Sequence, residues 1–222
     1  MVDAERCDAI QLDHVLIAVA DLTAAGGELE ARYGLVSVEG GRHPGWGTAN
    51  RIVPLGDTYL ELVAVVDEAE AAQSPFGSWV ARTSPAPAGL LGWAVRTSDL
   101  DDVARRLGLS VASGSRAMRS GGLLRWRLAG IEQAAAERSL PFFIEWERGT
   151  RLPGQAPATH RTEDVRITEL RLEGDADRLA SWLATDDLPI SVRPGVPALT
   201  GIVLSGTPGE MVLDTDLLRN SA

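Results

Sequence analysis

A strand followed directly by a capped helix is the first pattern along the chain. Residues 12–22 (LDHVLIAVADL) form a strand pattern that ends near Asp21, whose side chain can cap a helix. Apolar residues then recur at helical spacing as far as Tyr33, and Gly34 follows as a stop signal. The pattern predicts a strand that leads into an amphipathic helix.

The same strand–Asp–helix pattern occurs twice more. Residues 91–100 and, more weakly, residues 167–187 repeat it, with Asp99 and Asp175 in the place of Asp21. The spacings are 78 (99 − 21) and 76 (175 − 99) residues, which exceeds the roughly 20–50 residues of solenoid repeats. The period therefore predicts a duplicated module that contains one helix and several strands.

Short strand-like runs follow each predicted helix. Turn signals separate them, among them Gly40-Gly41 and Gly56-Asp57. The predicted strands are Leu35–Val38, Asn50–Leu55 and Thr58–Val66 in the first unit, Leu109–Ala112, Leu123–Leu128 and Pro141–Trp146 in the second, and Ile190–Arg193, Leu199–Leu204 and Glu210–Asp214 in the third. Each unit thus has the succession β-α-β-β-β.

These units predict an α+β fold. We expect paired modules over residues 10–66 and 89–147 to form one curved-sheet cup, with a partial third module over residues 160–216. Residues 73–87, which contain Ser, Pro and Gly, are expected to cross between the first two modules. Residues 151–159 (RLPGQAPAT) are expected to be a linker to the third.

Side-chain alternation along the strands indicates where a ligand could bind. Val15 and Ile17 lie on a wholly apolar face suited to packing under the helix, which places His14 on the opposite face. In the last strand of each module, Glu61 and Glu145 lie opposite an apolar face in the same way. We therefore expect His14, Glu61 and Glu145 on the open side of the sheet.

Composition excludes several classes of function. The 222-residue chain is 45% hydrophobic and 23% charged, as globular proteins are, and its net charge of −10 disfavours nucleic acid and anionic membranes as partners. All 21 basic residues are Arg, which removes Schiff-base chemistry and a phosphate-loop Lys and predicts no nucleotide cofactor. Cys7 is alone, so neither a disulfide framework nor a Cys zinc cluster is expected. The start lacks a secretory pattern, and the expected location is the cytoplasm.

A resemblance to a known superfamily follows from these features. Paired β-α-β-β-β modules with His14 on a first strand and Glu61 on a fourth resemble the vicinal oxygen chelate superfamily, whose fold is that of glyoxalase/bleomycin resistance/dioxygenase-like proteins. The stretch GGRHPGWGTANRIVPLGDTYLEL, residues 40–62, resembles more narrowly its glyoxalase-like domain proteins. The resemblance covers residues 10–147 well.

The resemblance implies a site in the cup, to which each module contributes one ligand from its first strand and one from its last. By position, the metal ligands are His14, Glu61 and Glu145, whereas the fourth place falls at Gly92 or Trp93, and neither can ligate. The implied ion is one weakly held divalent metal (Zn, Ni, Mn or Fe), if any metal binds. Without it, Glu61 and Glu145 would serve as acid/base or hydrogen-bonding groups.

The remaining assignments rest mostly on the resemblance. It implies a catalytic role for His43 beside Glu61 and Glu145, and its implied substrate-binding residues are Trp46, Thr48, Asn50, Gly92 and Trp93. The implied function is a lyase, isomerase or dioxygenase-type enzyme acting on a small oxygen-rich or aromatic molecule. The alternative is a non-catalytic protein that binds an antibiotic or metabolite. The partner is then a small molecule, with neither nucleic acid nor membrane, and a homodimer stays open.

Overall fold

The first half of an eight-stranded sheet is the predicted β-α-β-β-β unit. The computed structural model describes residues 10–83, 88–117, 122–185 and 187–214. The elements of this first unit are β1 (Gln11–Val19), α1 (Leu22–Tyr33), β2 (Val38–His43), β3 (Thr48–Pro54) and β4 (Tyr59–Val65).

One helix, α3 (Pro75–Thr83), occupies most of the segment that was expected to be a plain crossover. A short helix, α2 (Glu68–Ala71), lies just before that segment. In α3, the side chains of Phe76, Trp79 and Val80 are buried on the inner face of the sheet. Their spacing of three and four residues is the helical signal, and the neighbouring Ser, Pro and Gly obscured it. Residues 84–87 of that expected crossover lie outside the described residues.

The second half of the sheet repeats the first. Its elements are β5 (Ala88–Arg96), α4 (Leu100–Leu107), β6 (Val111–Ala117), β7 (Leu123–Ala129), a short helix α5 (Ile131–Ala136) and β8 (Phe142–Trp146). The strand order is β2-β3-β4-β1-β5-β8-β7-β6, with β1 and β5 antiparallel at the centre. The edge strands β2 and β6 contact each other, so the sheet is curved into a nearly closed barrel. This is the predicted cup.

The third unit forms a separate four-stranded sheet. Its elements are β9 (Glu163–Glu173), α6 (Ala176–Leu183), β10 (Ile190–Arg193), β11 (Ala198–Thr207) and β12 (Glu210–Asp214). The succession is β-α-β-β-β, as in the other two units. However, the order is β10-β9-β11-β12, so its first strand pairs with its second rather than with its fourth. Residues 215–216 of the expected third module lie outside the described residues.

The repeated Asp residues begin the helices as predicted. The Asp21 carboxylate accepts hydrogen bonds from the amides of Thr23 and Ala24, and Asp99 and Asp175 cap α4 and α6 in the same manner. These bonds satisfy backbone donors that have no partner inside the helix. Gly34 and Gly108 end α1 and α4 with a left-handed conformation, which glycine adopts without strain.

One predicted turn is wrong. Gly40 and Gly41 lie inside β2, and the predicted strand Leu35–Val38 precedes the observed one. The reason is a close approach: a Cβ atom on Gly40 would stand 2.2 Å from a terminal nitrogen of Arg116 and 2.0 Å from the Asn50 side-chain oxygen. Glycine is thus needed here to let other side chains cross the strand, and not to reverse the chain.

Two apolar cores lie on opposite faces of the curved sheet. The outer core joins Val15 and Ile17 of β1 to the helices α1, α4 and α6 and to the second sheet. The inner core contains Leu16 and Ala18 of the same strand, with α3 and α5. The predicted separation of faces on β1 is confirmed. Within the described part of the chain, no helix is long and apolar enough to span a membrane.

Candidate functional site

A narrow cavity lies on the inner face of the barrel. It contains roughly 430 Å³ of space unoccupied by atoms, part of it open to solvent. The lining residues are His14, His43, Trp46, Asn50, Ile52, Tyr59, Glu61, Phe76, Arg116, Leu124, Trp126, Leu128, Ile131, Phe142, Ile144, Trp146 and Pro153. Polar groups therefore meet aromatic and aliphatic walls in one enclosed space.

An irregularity in β1 places two consecutive side chains together. Leu12 pairs with Val95 but His14 pairs with Ala94, so the register shifts at Asp13. Asp13 is 1% exposed, and one of its carboxylate oxygens lies 2.6 Å from His14 Nδ1. This contact fixes the imidazole and turns its Nε2 atom toward the cavity.

Further contacts hold the Asp13–His14 pair. The Trp146 indole N–H donates to the second Asp13 oxygen at 2.9 Å. The Tyr59 ring stacks on the His14 imidazole with 4.6 Å between centroids and an interplanar angle of 17°. Burial, together with the nearby carboxylates of Asp13 and Glu61, raises the pKa of Tyr59 well above its ordinary value. Tyr59 is therefore a neutral phenol at physiological pH.

Glu61 lies opposite His14 across the corner of the cavity. One of its oxygens is 3.4 Å from His14 Nε2, and the other accepts a 2.8 Å hydrogen bond from the Asn50 amide nitrogen. The amide oxygen of Asn50 in turn accepts a 2.9 Å bond from Arg116. His14 and Glu61 are thus brought together as predicted, and both are buried.

His43 approaches the same carboxylate from the second strand. Its Nε2 lies 3.8 Å from Glu61 and its Nδ1 lies 2.9 Å from the Thr48 hydroxyl. Burial is the main cause that lowers the pKa of His43 to about 4; Glu61 opposes the shift, and the charge of Arg116 adds to it. His43 is consequently neutral at pH 7. Thr48 is fully buried behind it and acts on the cavity only through this imidazole.

The prediction that Glu145 faces this cavity is wrong. Its carboxylate bonds Arg127 on β7 at 2.7 Å and lies 3.4 Å from the Leu100 amide at the start of α4, so it is on the outer side of the sheet. The inner face of β8 is formed instead by Phe142, Ile144 and Trp146. Glu145 does alternate with the apolar side chains of β8, as predicted. However, in this module the apolar side chains line the cup, and Glu145 lies on the outer face.

The expected substrate contacts at Gly92 and Trp93 are also corrected. Gly92 does face inward, but a Cβ atom there would lie 2.6 Å from the Trp79 ring, so α3 already fills the expected gap. Trp93 is fully buried in the outer core, where its indole N–H donates to the Ser139 carbonyl. Trp46 and Asn50 do line the cavity.

The donors present do not fit the metal site that the resemblance implies. Of its four positions, Gly92 is covered by Trp79 and Glu145 points away from the cup. Among the residues that the structure describes, no group of three or more His, Cys, Asp or Glu side chains could hold a metal ion. The chemistry available to the cavity is therefore that of its own carboxylates, imidazoles and phenol.

Two polar residues of the site were missed from the sequence. Asp13 reads as an outward position in a regular strand, and only the register shift brings it beside His14. Arg116 lies in a polar segment, VASGSRA, that carries no strong strand pattern. Its proximity to Asn50 arises from barrel closure between β6 and β2, which one sequence does not reveal.

Comparisons with known proteins identify a family and a similar fold. Residues 12–186 match the family model described as a glyoxalase-like domain. A hypothetical protein from Staphylococcus aureus superposes with a TM-score of 0.71 at 14% identity, over 90% of this chain and 92% of that one. Methylmalonyl-CoA epimerase from Mycobacterium tuberculosis gives a TM-score of 0.46 at 22% identity, over 67% of this chain and 95% of that one. No curated protein matches the chain. At 14% identity, the first likeness supports the fold alone.

Proposed function

Because this chain belongs to the glyoxalase-like domain family of the vicinal oxygen chelate superfamily, we propose that it is a lyase or isomerase that moves a proton on a small oxygen-rich molecule inside the barrel. The observation that carries the proposal is the position of His14 between two carboxylates. Asp13 holds one ring nitrogen at 2.6 Å, and Glu61 faces the other at 3.4 Å.

Two proton-carrying groups that meet in a narrow, largely buried cavity suit chemistry beside a carbonyl. In this scheme Glu61 takes the proton from a carbon next to a carbonyl group, and the electron pair of the broken C–H bond moves onto the carbonyl oxygen as an enolate. His14 then delivers a proton carried on its Nε2 atom to the enolate, at carbon or at oxygen, and Glu61 passes the proton it removed back to Nε2, 3.4 Å away. General acid–base catalysis of this kind contributes about 10²- to 10⁴-fold in rate.

The surrounding residues support this assignment by orienting the two groups. Asn50 donates to one Glu61 oxygen and leaves the other facing His14. Asp13 fixes the ring orientation of His14, as carboxylates do in other His-dependent sites. In this proposal no metal is required, since the acid, the base and their orienting partners are all side chains of this chain.

Hydrogen exchange with solvent tests the proposal without knowledge of the natural substrate. Pyruvate, phenylpyruvate and hydroxyacetone each carry a C–H bond beside a carbonyl, and their deuteration in D₂O can be followed by proton NMR. We expect the protein to accelerate exchange of at least one of them, with or without EDTA. Glu61→Gln and His14→Gln should each reduce that rate by about 10²-fold or more.

The control is Glu132→Gln, a substitution of the same type at an exposed position on α5, which should exchange at the wild-type rate. If these compounds bind but do not exchange, the chain is a binding protein, as the alternative function holds. If exchange occurs but stops on chelation, a metal takes part and the metal-independent mechanism is wrong.

A further inference from the structure

Arg116 is a buried cation that lines the cavity and has no carboxylate in direct contact among the described residues. It is 8% exposed and lines the cavity beside Asn50 and Glu61. Its hydrogen bond to the Asn50 oxygen uses one of five guanidinium N–H groups. No carboxylate of the described residues lies within 4.0 Å of it, whereas Arg42, Arg105, Arg127, Arg171 and Arg178 all have one.

A buried charge is unfavourable unless it is paired and hydrogen-bonded. The Glu61 carboxylate lies beyond the Asn50 side chain, so the guanidinium can still pair directly with an acidic ligand. The guanidinium of Arg116 passes over Gly40. Any side chain at residue 40 would overlap the guanidinium, so glycine is required there. The guanidinium nitrogen atoms of Arg116 are not among the buried unpaired atoms of the described residues, and Arg116 lines the cavity.

We propose that Arg116 binds a carboxylate group of the substrate. This inference rests on the proposed function and names its substrate class: a small carboxylic acid with an apolar body. The guanidinium fork matches a carboxylate in a bidentate manner. The apolar body contacts Trp126, Leu128 and Ile144, which line the same cavity.

The geometry also relates the anchor to the reacting groups. A single amide side chain separates Arg116 from Glu61, because Asn50 accepts from one at 2.9 Å and donates to the other at 2.8 Å. A carboxylate held by Arg116 therefore places the neighbouring carbon atoms of the ligand beside Glu61. The cation would also lower the energy of an enolate that forms next to the carboxylate.

Binding of simple probes tests the assignment separately from catalysis. Acetate, benzoate and phenylacetate are each compared with the matching neutral amide, by quenching of tryptophan fluorescence and by ligand-observed NMR. We expect the wild-type protein to prefer at least one carboxylate over its amide by about 10-fold or more, and Arg116→Gln to abolish that preference. Arg125→Gln, a matched change at an exposed position of β7, should leave it unaltered.

Two further variants separate this inference from the proposed function. Glu61→Gln should lose exchange but retain the carboxylate preference, whereas Arg116→Gln should lose the preference. Should Arg116→Gln not fold, Arg116→Lys keeps the charge without the fork, and its preference should fall between wild type and none. The inference is overturned if no carboxylate binds at millimolar concentration, if wild type binds acid and amide equally, or if Arg116→Gln retains the preference. None of these outcomes depends on the exchange assay.

Discussion

His43 shows how strongly one imidazole can respond to its surroundings. It is enclosed by the rings of Trp46, Phe76 and Trp126, with centroid distances of 5.7 to 6.1 Å. Those rings offer no solvation to an imidazolium, so burial depresses the pKa to about 4 despite Glu61 nearby. His43 thus contributes a neutral donor and acceptor to the cavity rather than a charge.

This neutral state makes stability sensitive to acid. In the unfolded chain His43 becomes protonated below pH 6.5, whereas in the native chain it becomes protonated only at about pH 4. Between these two pH values protons favour the unfolded chain, so the free energy of unfolding falls as the pH decreases. At roughly 1.4 kcal/mol per pH unit, the loss reaches about 3 kcal/mol by pH 4. In urea unfolding at pH 7 and pH 4, His43→Asn should lose that much less stability than wild type. Equal losses in the two proteins would contradict the assignment.

Only some of the individual side chains of the site could be predicted from the sequence. His14, Glu61, Asn50 and Trp46 could be placed because strand alternation and one motif determine their faces. Asp13 could not, because a one-residue register shift changes the direction of a side chain without any compositional signal. Arg116 could not be placed either, because its role depends on two edge strands that meet only when the barrel closes.

Among the elements, helix α3 fills part of the cup. Its Trp79 ring covers Gly92 on β5, where ring carbons would stand 2.6 and 2.8 Å from an added Cβ. Contacts that short require the ring or the strand to move. The glycine at this position is therefore explained by the packing of a helix against a strand, and not by a lost metal ligand.

Overpacking at this contact gives a direct test. Gly92→Ala should lower the free energy of unfolding by about 1–3 kcal/mol, because a methyl group is forced against a rigid ring. Trp79→Phe shortens that ring, so the double variant should lose less than the sum of the two single losses. Urea unfolding of the four proteins measures this difference. Strict additivity would mean that the helix and the strand do not meet as described.

The elements were predicted best where the chain carries local signals. Asp21, Asp99 and Asp175 mark helix starts, and the hairpin turn at Gly56-Asp57 joins β3 and β4 as expected. The glycines of β2 were wrongly predicted to form a turn, because glycine also occurs where the backbone must let other side chains approach closely. The strand order of the third unit was beyond prediction, since pairing of β9 with β10 depends on long-range contacts and not on local patterns.

At the scale of the whole molecule, the second sheet and the barrel share one core. Leu170 and Ile202 of the second sheet belong to the same buried cluster as Val15 and Ile17 of the barrel. Neither sheet can therefore keep its apolar face covered alone. We expect the two to unfold together rather than in sequence.

A substitution in the second sheet checks this cooperativity. Ile202→Ala, at a fully buried position, should lower the free energy of unfolding by about 2–5 kcal/mol. The near-ultraviolet signal of the barrel tryptophans and the far-ultraviolet signal of the backbone should shift together. Val196→Ala, which changes a side chain that is 80% exposed, should alter stability by less than about 0.5 kcal/mol. Separate transitions would show two independent bodies.

The unequal contribution of the two modules to the cavity has a stereochemical consequence. Asp13, His14 and Glu61 come from the first module, whereas the second supplies Arg116 and an apolar wall formed by Leu124, Leu128 and Ile144. The duplicated halves thus form an enclosure with no twofold symmetry, in which Arg116 joins the polar groups of the first module through Asn50 and the apolar wall lies apart. A ligand with one polar end can enter it in a single orientation, which presents only one face of a prochiral carbon to Glu61. A reaction in this barrel would remove its proton with a fixed handedness.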